Sequence, residues 1–104
     1  MAVSRAVKES PLRQGEDEQI VYLLTTTPWG GSPSSVSVKL YDVTDGARAD
    51  VSATRLSGAA SVAGDVIASP AVTSLVAGRV YRLEFKFTSG GNVLEAYLII
   101  NAEY

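Results

Sequence analysis

The 104-residue chain has no cysteine and no histidine. Without thiols there is no disulfide framework, no thiolate metal site and no cysteine nucleophile. Without imidazole it lacks both the commonest general base near neutral pH and a principal zinc ligand. These absences remove most hydrolytic and metal-centred chemistry at once, so neither an enzymatic activity nor a cofactor or metal is expected. A carboxylate pair or a lysine-assisted serine would still be open, but the pair needs a concave pocket between the two groups. Asp42, Asp45, Asp50, Asp65 and Glu95 are instead scattered over strand ends and turns. A basic excess is also missing: nine Lys and Arg face eleven Asp and Glu, for a net charge of -2. That leaves no electrostatic footprint for nucleic acid or for an anionic membrane surface. No window approaches the roughly 18 consecutive apolar residues of a membrane-spanning helix. Residues Met1 to Lys8 contain no apolar stretch of secretory-signal type, so synthesis in the cytoplasm is expected.

What is present reads as strand. Hydrophobic residues make up 46% and charged residues 19% of the chain, enough apolar material for one core in a single domain spanning residues 1–104. From Val80 the run V-Y-R-L-E-F-K-F-T places Tyr81, Leu83, Phe85 and Phe87 on one face and Arg82, Glu84, Lys86 and Thr88 on the other. Such strict two-residue alternation predicts a half-buried antiparallel strand. Val93 to Tyr104 alternates in the same way, with Leu94, Ala96, Leu98, Ile100 and Ala102 inward, and Ser89-Gly90-Gly91-Asn92 joins the two as a hairpin loop.

The remaining strands are shorter. Val3 to Lys8 predicts an edge strand ended by Pro11, followed by an acidic turn at Gln14 to Glu18 that is read as a solvated loop over a hard-cation site. Gln19 to Thr27, apolar on both faces at its start, predicts a well-covered central strand with Ile20, Tyr22 and Leu24 inward. Ser35 to Val43 predicts a strand with Val36, Val38 and Leu40 inward and Ser37, Lys39 and Tyr41 outward, closed by an Asp45-Gly46 turn. A short strand is expected around Ala49 to Ala53, then a turn at Leu56-Ser57-Gly58, a weakly patterned edge at Ala59 to Gly64, and a strand from Asp65 to Thr73 split by Pro70. No useful helical period occurs.

The spacing Leu75-x-x-Gly78-x-x-Tyr81-x-Leu83 resembles the corner of immunoglobulin and fibronectin type III sandwiches, where a tyrosine hydroxyl bonds back to upstream backbone. Leu83 stands where antibody domains carry a cysteine. The longer pattern, Gly64-Asp65-Val66-Ile67, Ser69-Pro70, Leu75, Gly78, Tyr81-Arg82-Leu83, Phe87, Gly91-Asn92, Glu95, Tyr97 and Ile100, is similar to immunoglobulin-like units of tailed-phage and prophage structural proteins. The resemblance implies an all-β, two-sheet antiparallel immunoglobulin-like or fibronectin III-like sandwich of about seven strands. It also implies a non-catalytic component of a virion-type particle that acts through protein–protein contacts or self-association. Residues before Gly46 carry no marker of that group.

Two surfaces are candidates for binding. Trp29, the only tryptophan, lies in the Pro28-Trp29-Gly30-Gly31 loop, either as an exposed anchor for a sugar or peptide or as a plug over the open end of the core. If strands pair as in immunoglobulin sheets, Tyr41, Arg82, Tyr97 and Ile99 share an outer face with Lys39, Glu84, Lys86 and Glu95. Asp42, Asp45 and Asp50 could surround a calcium ion, but the Asp-Gly turn already accounts for them structurally.

Overall fold

A computed structural model describes residues 2–6, 12–46 and 48–103, with side chains from residue 12 onward. Among these the strands are β1 (Ala2–Ala6), β2 (Leu12–Gly15), β3 (Leu23–Thr25), β4 (Ser34–Asp42), β5 (Ala49–Asp50), β6 (Leu56–Ser57), β7 (Ser61–Ala63), β8 (Val66–Ala68), β9 (Ala71–Val72), β10 (Val80–Ser89) and β11 (Asn92–Glu103). Single helical turns occur at Thr27–Trp29 and Ser52–Arg55. The fold is all-β with several sheets, and no helix among the described residues is long and apolar enough to cross a membrane.

The β10–β11 hairpin is the spine of the larger sheet. Ser89 pairs with Asn92, so the expected four-residue loop shrinks to Gly90-Gly91. Both glycines have positive φ, +57° and +81°, the conformation a two-residue hairpin turn of type I′ requires. β4 lies antiparallel on the free side of β10 and carries β5 on its own outer edge. β1 and β2 both run parallel to β11. The sheet is therefore not wholly antiparallel, because the N-terminal strands enter along the edge of the last strand. The expected extension of strand A through Val7 and Lys8, and its stop at Pro11, lie outside the described residues.

The second layer is made of fragments. β3, β8 and β7 form one small sheet, β6 and β9 another, and both are continued through the single segment from Val66 to Val72. Pro70 splits that segment as expected. At the break, the Ser69 N–H donates to the Tyr22 carbonyl and the Ser69 hydroxyl accepts the Tyr22 N–H at 2.9 Å, which carries the ladder across the interruption. Three sequence expectations change here. The Gln19–Thr27 segment is an edge strand of three residues, not a covered central one, because β8 takes the central place. The strand expected over Ala49–Ala53 ends at Asp50, where the Asp50 carboxylate accepts the Ser52 N–H and starts a helical turn. Leu56-Ser57, expected as a turn, pairs with β9.

One core fills the space between the layers. The large sheet contributes Leu40, Tyr81, Leu83, Phe85, Phe87, Leu94, Ala96, Leu98, Ile100 and Ala102; the second layer contributes Leu24, Ile67 and Val72, capped by Leu75. The inward set of β10 and β11 matches the alternation in the sequence. Tyr81, fully buried, accepts the Val76 N–H on its hydroxyl at 3.0 Å, the upstream bond expected of a corner tyrosine. Tyr81→Phe keeps the ring and removes this acceptor, and is expected to cost about 1 kcal/mol. Urea denaturation checks it; an unchanged midpoint would mean that water replaces the hydroxyl at no cost.

Candidate functional site

Strand parity builds the outer face of the large sheet. In β10, Arg82 is flanked by Tyr41 of β4 and Ile99 of β11, Glu84 by Lys39 and Tyr97, and Lys86 by Ser37 and Glu95. The structure thus brings Tyr41, Arg82, Tyr97 and Ile99 onto one surface.

Glu84 organises that surface. It is only 8% exposed, a position a carboxylate holds when its charge is matched and its lone pairs are used. Arg48, on the segment leading into β5, donates from Nη2 to Oε1 at 2.7 Å and from Nε to Oε2 at 3.3 Å. This contact raises the Arg48 guanidinium above its ordinary value. The Arg82 Nε lies 2.7 Å from Oε2 of the same carboxylate. Each guanidinium also covers a tyrosine: Arg48 sits 4.0 Å from the centre of the Tyr41 ring and Arg82 3.8 Å from that of Tyr97. Such stacking favours planar, weakly hydrated cations. The resulting array, Tyr41–Arg48–Glu84–Arg82–Tyr97, is held in place before any partner arrives. Beside it lies an open hollow of about 380 Å³, floored by Ser35, Ser37, Lys39, Lys86 and Glu95 along with members of the array. Tyr41 is not presented directly, because Arg48 lies over its ring and buries it. Arg48 itself escapes the sequence reading, since it stands outside any alternating run.

Trp29 is elsewhere. Its ring stacks on Phe87 with centroids 5.9 Å apart and planes inclined by 25°, and it packs half-buried against the core. This is the plug position. Asp65 pins the loop around it: the Ser32 N–H donates to Oδ1 at 2.9 Å and the Thr27 hydroxyl to Oδ2 at 2.8 Å. These bonds, the backbone one first, hold the Asp65 carboxyl below its usual range. Gly31 is required there. Its φ is +67°, and a Cβ would stand 2.7 Å from the Asp65 Oδ1.

The calcium candidates are engaged with protein groups. Arg79 donates to Asp42 and, at 3.4 Å, to Asp45, so its guanidinium stands between two of the three carboxylates. Burial pushes the Asp42 carboxyl up, but Arg79 and the Thr44 hydroxyl and N–H together outweigh it and leave the group below its ordinary value. Asp50 caps Ser52. No group of three acidic residues able to hold a metal ion occurs among the described residues.

No protein-family model matches the chain, and no curated protein is significantly similar to it.

Proposed function

We propose that this chain is an immunoglobulin-like structural domain that joins a larger assembly through the outer face of its large sheet, without catalysis. The N-terminal strands running parallel along β11, the sheet order β11–β10–β4–β5, the small layer built around β8, and the Tyr81 hydroxyl bonded back to Val76 all support the immunoglobulin-like reading. The sequence resemblance to phage and prophage structural proteins supports a particle as the assembly.

One observation carries the functional reading: two arginines stacked on two tyrosines and locked by one buried carboxylate. Tyr and Arg, with Trp, are the residues most enriched at the energetic centres of protein interfaces. Guanidinium groups that are already ordered lose little rotamer freedom on docking. The adjoining hollow is open and largely polar, whereas small-molecule sites are enclosed and mostly apolar. A protein surface carrying carboxylates fits this face better.

Co-expression with the products of neighbouring genes tests the reading. The expected result is a stable complex with a capsid- or tail-type protein, weakened on the order of ten-fold by Arg48→Ala. Neighbours unrelated to particle assembly, with no complex formed, would overturn it. Glycan-array binding abolished by Trp29→Ala would replace it with a carbohydrate-recognition role.

A further inference from the structure

The layer opposite the arginine face ends on a short strand edge that carries neither charge nor proline. Ile20 exchanges both backbone bonds with Val72, at 3.0 and 2.8 Å; the Tyr22 carbonyl accepts the Ser69 N–H; and the Thr26 N–H donates to the Asp65 carbonyl at 2.8 Å. Even-numbered residues from 20 to 26 therefore turn their backbone groups into the sheet. Because ladder bonds alternate along an antiparallel strand, those of Val21, Leu23 and Thr25 point away from it. β3 pairs with no strand other than β8 among the described residues. The side chains of these three residues are exposed, Leu23 by 69% and Val21 by 51%. Sheet edges in monomers are ordinarily blunted by Lys, Pro or a bulge. Here no charged residue occurs between Gln19 and Val38, and no proline between Gln19 and Thr27.

We propose that this edge pairs with the same edge of a second copy of the chain, forming a two-fold antiparallel seam centred on Leu23. The inference concerns a surface that the assembly reading above does not use. A two-fold interface must be complementary to itself. In this register Leu23 faces Leu23, and Val21 of each copy faces Thr25 of the other. The three pairs are those whose N–H and C=O groups point outward, so each exchanges two backbone bonds. All the side chains brought opposite are uncharged and β-branched or aliphatic, a favourable cross-strand set with no like charges meeting.

Sedimentation velocity over a wide concentration range, with amide hydrogen exchange at its two ends, tests the seam. The expected result is a concentration-dependent dimer. Exchange at Val21, Leu23 and Thr25 slows as concentration rises, while that at Tyr22, Leu24 and Thr26 does not change. Leu23→Lys, at a site exposed enough to leave folding intact, raises the dimer dissociation constant on the order of ten-fold or more. Val76→Lys, at an exposed apolar residue elsewhere, leaves it unchanged. A chain that stays monomeric throughout overturns the inference, as does exchange at the three amides that ignores concentration. A dimer that survives Leu23→Lys but dissociates with Arg48→Glu also overturns it, and leaves the reading of the arginine face standing.

Discussion

Phe85→Ala is expected to destabilise the domain by about 3–5 kcal/mol, which for a chain of this size is a large share of its whole stability. Phe85 is 1% exposed and sits midway along β10, the strand flanked on both sides in the large sheet. Its neighbours across the ladder are Val38 and Ala96. The small Ala96 leaves room for the ring, and a truncated residue 85 would leave a hole there that neither neighbour can fill. Loss of transfer energy and the residual cavity then add. Guanidinium denaturation should show a lower midpoint with little change in slope, because the surface exposed on unfolding hardly changes. Lys86→Ala, next in sequence but exposed, should stay within about 0.5 kcal/mol of the native chain. A Phe85→Ala loss as small as that of Lys86→Ala would mean that the two layers do not press on this ring.

The contrast between those neighbours shows what alternation encodes. In β10 one face is charged and the other apolar, and β11 keeps every second position apolar, so parity predicts the inward set and the outer face, while the gathering of Arg82, Tyr97 and Ile99 needs the strand pairing as well. The Gln19–Thr27 segment has apolar residues on both faces, and that pattern has two physical causes that cannot be told apart along the chain. Either a second layer covers the outer face, or the outer face awaits something. Val21 and Leu23 turn out to be exposed: their side chains lie on the outer face of the second layer, uncovered among the described residues. Strand direction is equally silent in a side-chain pattern, so the parallel entry of β1 and β2 could not be read. The short pieces β5 and β6 and the helical turn between them depend on single polar contacts, such as the Ser52 hydroxyl accepting the Leu40 N–H at 2.9 Å. Such contacts carry no period. Arg48 was hidden for the same reason: a side chain from a connecting segment completes the site that the strands lay out.

Gln14 is a third residue of this kind, and its replacement is the second large effect expected. Placed by the sequence in an acidic turn, it lies instead in β2 and is fully buried. Its side-chain amide donates to the Val72 carbonyl at 2.8 Å and to the Glu18 carbonyl at 3.0 Å, and its Oε1 accepts the Tyr22 hydroxyl at 2.7 Å. One side chain on the large sheet therefore fastens two segments of the other layer. Gln14→Leu keeps the volume but strands the Tyr22 hydroxyl and the Glu18 carbonyl, while Val72 retains the Ile20 N–H. The expected loss is about 2 kcal/mol, read as a lower denaturation midpoint, and a midpoint equal to that of the native chain would show that the fastening is dispensable. Tyr22 adds a pH signature. Burial, and then the charge of Glu18, pushes its hydroxyl from 10.0 up to about 12. The folded chain thus holds this proton more tightly than the unfolded chain does, so the stabilisation is complete below about pH 10 and drains away as pH rises toward 12. Alkaline unfolding followed by tyrosinate absorbance should therefore set in within that window, and Tyr22→Phe should flatten this part of the stability profile even though it removes a hydrogen bond.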